Sequence, residues 1–82
     1  MNRKDTLKWF AGKMMERLDQ NTYKVHWRFM PQSFLLGKLN EQFPKLDQGI
    51  KDKDHTEIIR RCANIANYTM MIADNERRLW EK

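Results

Sequence analysis

From residue 50 to residue 82 the chain contains neither glycine nor proline, the two residue types that most readily interrupt a helix. Apolar and small residues recur in this stretch at the three- and four-residue spacing of a helix face. They are Ile58, Cys62, Ile65, Ala66, Thr69 and Ile72, with Ile59, Met70 and Met71 beside them. Asp54 followed by Glu57 resembles a capping box. The pattern predicts one long amphipathic helix over about residues 55–79.

Two further helices are predicted upstream. The first covers about residues 5–19, with Asp5 or Thr6 as its cap and Asn21 as its stop. Its apolar stripe is Leu7, Phe10, Met14 and Leu18, widened by Trp9 and Met15. The second covers about residues 33–48 and carries Phe34, Leu35, Leu36, Leu39, Phe43 and Leu46. Pro44 predicts a kink or break in that helix, with Gly49 as the C-cap of a short final segment.

Residues 21–32 change to a period of two. Aromatic and apolar residues alternate there with basic ones: Tyr23, Val25, Trp27 and Phe29 against Lys24, His26 and Arg28. Because a lone strand has no partner for its backbone groups, we expect an extended connector whose aromatics pack on the helices. The alternative is that interleaved aromatic and basic side chains stack bases and hold phosphates.

Composition limits the class of protein. A chain of 82 residues is enough for a single domain, which we expect to span residues 1–82 as an all-α three-helix bundle. It has one cysteine, no apolar run near the roughly 20 residues that span a bilayer, and no signal-peptide segment. We therefore expect a cytoplasmic protein without membrane insertion. The net charge of +5 permits binding to nucleic acid or acidic proteins but equally fits a solvated surface.

Polar residues interrupt the stripe of the last helix. Arg61, Asn64 and Asn67 lie three residues apart and so share one side. Because buried polar groups without partners cost about 1–3 kcal/mol each, we expect a hydrogen-bond network between helices here. His26, His55 and Cys62 lack the spacing of a zinc site, and no metal or cofactor is predicted.

The stretch from Arg61 to Asp74 resembles a segment of small MazG-like nucleotide pyrophosphohydrolases of phages and bacteria. Leu35 to Leu46 resembles the preceding helix of that family, and Asn21, Lys24 and Trp27 resemble its connector. The resemblance implies an all-α bundle that pairs with a second copy.

The resembled family holds Mg²⁺ with an acidic pair Glu-x-x-Glu on one helix and Glu-x-x-Asp on the next. The matching positions in this sequence are Gln42, Lys45, Arg61 and Asn64. Two amides and two cations do not bind a hard divalent cation, and a one-residue shift that used Glu41 would supply only one carboxylate. The resemblance therefore implies a catalytically inactive relative without a metal.

Two classes of function follow. The first is a non-catalytic binding protein, a small phage-type regulator or inhibitor of a host or phage protein, for example in lysis control or defence evasion. Its candidate interface residues are Trp27, Trp80, Phe29 and Tyr23. The second is nucleotide or nucleic-acid binding, with Lys45 and Arg61 on the phosphates, or residual triphosphate hydrolysis.

Overall fold

The structure is a computed structural model that describes residues 2–20 and 26–81, and every regular element in those ranges is helical. The elements are α1 (Arg3–Gln20), one 3₁₀ turn (Trp27–Phe29), α2 (Gln32–Lys51) and α3 (His55–Trp80). The predicted all-α three-helix bundle is confirmed, and the predicted helix ends lie within three residues of the observed ones. Among these helices none is long and apolar enough to cross a membrane.

The core lies between α2 and α3, which form an antiparallel hairpin and pack more extensively than α1 and α3 do. Leu35 and Leu39 on α2 are buried, as are Ala63 and Met71 on α3. Burying a leucine side chain contributes about 1.5–3 kcal/mol to the free energy of folding. Since these four are the buried hydrophobic residues of the described ranges, the apolar core is small for the chain.

A tight turn joins α2 to α3. The Lys53 N–H donates to the Ile50 carbonyl at 3.1 Å, and the Asp54 N–H donates to the Gly49 carbonyl at 3.0 Å. This is a Schellman motif, and it places Lys53 in the left-handed region with φ of 55°. Asp54 then caps α3, because its Oδ1 accepts from the Glu57 N–H at 3.2 Å. The predicted cap of the last helix is confirmed.

The start of α1 differs from the prediction. Asn2, not Asp5 or Thr6, caps the helix, since Asn2 Oδ1 accepts from the Asp5 N–H at 2.9 Å. The Thr6 hydroxyl donates to the Asn2 carbonyl at 3.1 Å and so belongs to the helix interior. Asn2 lies three residues before Asp5 and four before Thr6, so it satisfies free N–H groups at an earlier start of the helix than we predicted. The predicted stop at Asn21 lies outside the described residues, and α1 is described as far as Gln20.

The predicted break at Pro44 is wrong. Helix α2 continues through Pro44 to Lys51, and Gly49 lies inside it instead of capping it. Pro44 and Asn40 are both exposed, so the Asn40 carbonyl that loses its N–H partner can bind water. Gly49 is buried, and a Cβ there would lie 3.5 Å from Cγ1 of Ile58. A Cβ at this position would therefore be in ordinary van der Waals contact with α3.

The predicted extended connector is wrong for residues 27–29. They form the 3₁₀ turn, which His26 caps by accepting from the Arg28 N–H at Nδ1. Residues 21–25, including Tyr23 and Lys24, lie outside the described residues. A turn satisfies backbone groups locally, which an isolated extended segment cannot do.

Candidate functional site

A buried polar cluster lies where α2 crosses α3. Gln42 Oε1 accepts two hydrogen bonds, from Asn64 Nδ2 at 3.1 Å and from Arg61 Nη1 at 3.2 Å. Gln42 and Asn64 are each only 6 % exposed. Three of the four positions predicted from the family resemblance are therefore in direct contact.

Glu57 neutralises the charge of Arg61 within this cluster. The Arg61 Nε donates to Glu57 Oε1, one turn earlier on α3, and both side chains are largely buried. Glu57 also pairs with the more exposed Arg60, from Nη1 to Oε2 at 3.4 Å. Because a buried charge is costly without a partner, the Arg61 guanidinium is held by its contacts with Glu57 and Gln42.

Helix α1 supplies a further member of the cluster. Arg17 donates from Nε to Asn64 Oδ1 at 2.9 Å and from Nη1 to Gln20 Oε1. Asn64 thus uses its amide nitrogen toward α2 and its amide oxygen toward α1. One turn later on α3, Asn67 Nδ2 donates to the Met14 carbonyl at 3.0 Å. The network that we predicted from the polar row of α3 therefore ties all three helices together.

Lys45 takes a different place from the other three positions. It lies on the exposed side of α2, one turn after Gln42. There it lines a shallow groove with acidic residues of the α2–α3 turn and of α3, among them Asp54 and Glu57. Among the described residues, no hydrogen bond or ion pair joins the Lys45 ammonium group to the buried cluster of Gln42, Arg61 and Asn64.

The residues of this cluster do not fit a divalent metal ion. Mg²⁺ takes oxygen ligands and is held by carboxylates, whereas this cluster presents two amides and a guanidinium. Its carboxylate, Glu57, is already paired with Arg61. Across residues 2–20 and 26–81 we find no group of three or more histidine, cysteine, aspartate or glutamate residues that could hold a metal.

A second polar cluster joins the 3₁₀ turn to the end of α3. The Trp27 indole donates from Nε1 to Asp74 Oδ2 at 3.0 Å, and Asn75 Nδ2 donates to the Trp27 carbonyl at 3.0 Å. Hydrogen bonds from Arg77, Trp27 and Arg78 hold the pKa of Asp74 well below its ordinary value. Trp27 is half-buried, so this candidate interface residue serves at least to anchor the turn on α3.

Sequence reasoning missed Asp74 and Arg17 as members of these clusters. Asp74 had a local signal, since Arg77 and Arg78 follow it at the spacing of neighbours on a helix. Arg17 had none, because its contact with Asn64 joins residues far apart in the sequence.

Two further candidate interface residues, Phe29 and Trp80, are exposed. Phe29 is 66 % exposed, and the Arg28 guanidinium lies 4.6 Å from the centre of its ring. Trp80, at the end of α3, is 86 % exposed. Tyr23 lies outside the described residues. The structure thus leaves Phe29 and Trp80 available for contact with another molecule.

No family model, curated protein or solved structure matches the chain. The resemblance to MazG-like proteins therefore stays a prediction from the sequence.

Proposed function

We propose that the chain is a non-catalytic binding protein that acts by contact with another protein. The observation that carries the proposal is the contact of Gln42 with Arg61 and Asn64. At three of the four positions where the resembled family has carboxylates, the side chains hydrogen-bond to one another, and one of them is the cationic Arg61. These three side chains provide no carboxylate ligand for a metal ion that would activate water. This supports binding as the use of the scaffold.

The exposed aromatic residues support protein contact as the mode of action. Phe29 and Trp80 present large apolar surfaces to solvent, and buried aromatic residues usually dominate the energy of protein interfaces. From the resemblance to phage and bacterial sequences we propose a regulator or inhibitor of a host or phage protein in the cytoplasm. The same resemblance favours lysis control or defence evasion as the process in which the protein acts.

Nucleotide binding through Lys45 and Arg61 is the weaker alternative. Lys45 is exposed and could meet a phosphate, but Arg61 would have to leave Glu57 and Gln42 first. That step would leave the largely buried Glu57 carboxylate without this partner. The contacts of Arg61 therefore favour the protein-binding proposal.

The first test is hydrolysis and metal binding. We expect no turnover of any nucleoside triphosphate with Mg²⁺ or Mn²⁺, and no thermal shift with millimolar Mg²⁺. A variant with all four carboxylates, Gln42→Glu, Lys45→Glu, Arg61→Glu and Asn64→Asp, is the matched positive control. We expect it to gain stability on addition of Mg²⁺, measured by circular dichroism melts. Turnover by the natural chain that a chelator abolishes would overturn the proposal.

The second test separates protein contact from phosphate binding. Calorimetry with a nucleotide panel compares the natural chain with the double variant Lys45→Ala, Arg61→Ala. A control variant, Lys45→Ala with Arg60→Ala, removes the same charge but keeps the buried guanidinium. We expect no micromolar nucleotide binding by any of them. Nucleotide binding by the natural chain and by the control variant, but not by the variant Lys45→Ala, Arg61→Ala, would establish the alternative.

Capture of the partner from the native cell completes this test. We expect the variant Phe29→Ala, Trp80→Ala to capture less partner than the natural chain, because it loses two exposed aromatic anchors. Undiminished capture by this variant would place the partner contact elsewhere.

A further inference from the structure

A cavity of about 230 Å³ lies between α1 and the first turns of α3. Its wall contains three cationic side chains, Lys13, Arg17 and Arg60, against one carboxylate, that of Glu16. The cavity therefore carries an excess of positive charge, which favours an anionic ligand.

Arg17 is half-buried and, within residues 2–20 and 26–81, has no carboxylate partner. It donates instead to two neutral amide oxygens, those of Asn64 and Gln20. The other half-buried arginines of these ranges, Arg61 and Arg78, each form an ion pair with a carboxylate. Because removing a cation from water is costly without a negative partner, a negative group beside Arg17 would stabilise it more than the two amides do.

The guanidinium of Arg17 is also held in place. Its Nε donates at 2.9 Å to Asn64, which is only 6 % exposed and is itself bonded to Gln42. Its Nη2 makes no hydrogen bond to any residue that the structure describes, so two N–H donors stay available at a fixed place in the cavity wall. A preorganised donor binds an anion with a smaller loss of side-chain freedom.

The other two cations have carboxylate partners of their own. Lys13 Nζ lies 3.6 Å from Glu16 Oε2, and Arg60 Nη1 lies 3.4 Å from Glu57 Oε2. Both pairs are partly exposed and therefore weak, so either cation is able to turn toward a bound anion. Among the described residues of the wall, the charge without a carboxylate partner is thus that of Arg17. A carboxylate supplies the one negative charge that matches it, whereas a phosphate monoester brings nearly two.

The apolar part of the wall suits a short aliphatic stem. Ala63 is fully buried and Ile59 is half-buried, and both belong to α3. Contact with these two side chains is favourable for the CH₂ groups of an aspartate or a glutamate. A volume of about 230 Å³ is below the roughly 300–1,000 Å³ of sites for drug-sized molecules, so the cavity accommodates a side chain and not a nucleotide.

We infer that this cavity receives the carboxylate side chain of an acidic segment of the partner protein. The inference rests on the proposed function, since it takes the partner to be a protein. A free carboxylate molecule would lose its translational freedom for one ion pair and a small apolar contact, which hold it weakly. A side chain carried by a protein that already contacts the chain does not lose that freedom a second time.

The cavity is separate from the exposed aromatic residues of the proposed contact. Trp80 lies at the end of α3, and the cavity lies at its beginning. The helix has 26 residues and is about 39 Å long. A substitution at one of these places should therefore leave the other intact.

The test uses a small acidic probe, the blocked peptide acetyl-Ala-Glu-Ala-amide, with acetyl-Ala-Gln-Ala-amide as its neutral control. The isotope-labelled full chain is titrated to millimolar peptide and followed by nuclear magnetic resonance. We expect the glutamate peptide to move the Arg17 Nε–H signal and the backbone amide signals around Ile59 in a saturable way, and less at high salt. We expect the glutamine peptide to leave these signals unchanged.

Two variants test the cavity wall. Arg17→Ala should weaken binding of the glutamate peptide at least about 10-fold, because it removes the preorganised guanidinium. Since that variant also loses a structural hydrogen bond, Lys13→Gln, Arg60→Gln is the second variant, and it should weaken binding at least about 3-fold with the fold intact. Its matched control, Arg28→Gln, Lys38→Gln, removes the same two charges outside the cavity wall and should bind like the natural chain.

An equal response to the two peptides would overturn the inference, as would inorganic phosphate that binds more tightly than the glutamate peptide. Unchanged binding by Lys13→Gln, Arg60→Gln would overturn it too, since the cations would then have no part in binding. The variant Phe29→Ala, Trp80→Ala should bind the peptide like the natural chain. Undiminished partner capture by that variant would count against the proposed contact and not against the cavity, so the two failures are distinguishable.

Discussion

The side-chain amide of Asn64 donates to Oε1 of Gln42 at 3.1 Å, and each of the two residues is only 6 % exposed. Neither amide can exchange this bond for water without separating α2 from α3. The pair therefore fixes how the two helices align, in addition to any stability that it adds. Arg61 connects this pair to Glu57, and Arg17 connects it to α1.

Truncating either amide should destabilise the fold. We expect Gln42→Ala and Asn64→Ala each to lower the free energy of unfolding by about 1–3 kcal/mol, because each leaves buried partners unsatisfied. The double variant should cost less than the sum of the two by at least about 0.5 kcal/mol, since the residues share a bond. Urea unfolding at one protein concentration measures all of these values.

Gln48→Ala is the control for that cycle. Gln48 lies on the same helix and is exposed, and its side chain donates to the exposed Asp52. We expect its replacement to change the free energy of unfolding by no more than about 0.5 kcal/mol. Strictly additive losses at Gln42 and Asn64 would contradict the coupling.

Asp74 should make the fold sensitive to acid. Its folded pKa is lowered by hydrogen bonds from Arg77, Trp27 and Arg78, so its contribution to stability is complete above the unfolded value of about 3.9. As the pH falls below that value, the unfolded state binds the proton first and stability is lost. Asp74→Asn should lower stability at pH 7 and flatten the loss below about pH 4.

Thermal melts between pH 7 and pH 2 measure this effect. Glu76→Gln removes an exposed carboxylate two residues away and keeps the bonds of Asp74, so it should keep the acid loss that Asp74 causes. If Asp74→Asn showed the same pH dependence as the natural chain, these hydrogen bonds would not be the source of the sensitivity.

Helix positions were predictable because the period of apolar residues and the Asp54 cap are local signals. The predicted break at Pro44 failed because the cost of proline depends on whether the freed carbonyl can reach water, which the order of residues does not show. Asn2 was missed because several polar residues stood near the start of α1 and any of them could serve as a cap.

The candidate site was predictable only in part. The polar row of Arg61, Asn64 and Asn67 indicated a network, and the structure contains it. Its partners depend on how helices pack: Gln42 and Arg17 reach Asn64 from 22 and 47 residues away along the chain. The exposure of Leu36, Phe43 and Ile50 was likewise hidden, because apolar residues at helical spacing look alike whether they are buried or half-exposed.

The turn between α2 and α3 holds Lys53 in a left-handed conformation that favours glycine, with φ of 55°. For a residue with a Cβ this conformation costs roughly 1–2 kcal/mol, and part of the gain from glycine is offset by its greater freedom in the unfolded chain. We expect Lys53→Gly to raise the free energy of unfolding by about 0.5–1 kcal/mol, and the melting temperature by about 4–8 °C per kcal/mol. Lys53→Ala is the matched control, because it removes the same charge but keeps the Cβ and should bring no such gain. Melts of the three proteins at equal concentration decide the point, and equal stabilities of the glycine and alanine variants would show that the backbone conformation of Lys53 is not the cause.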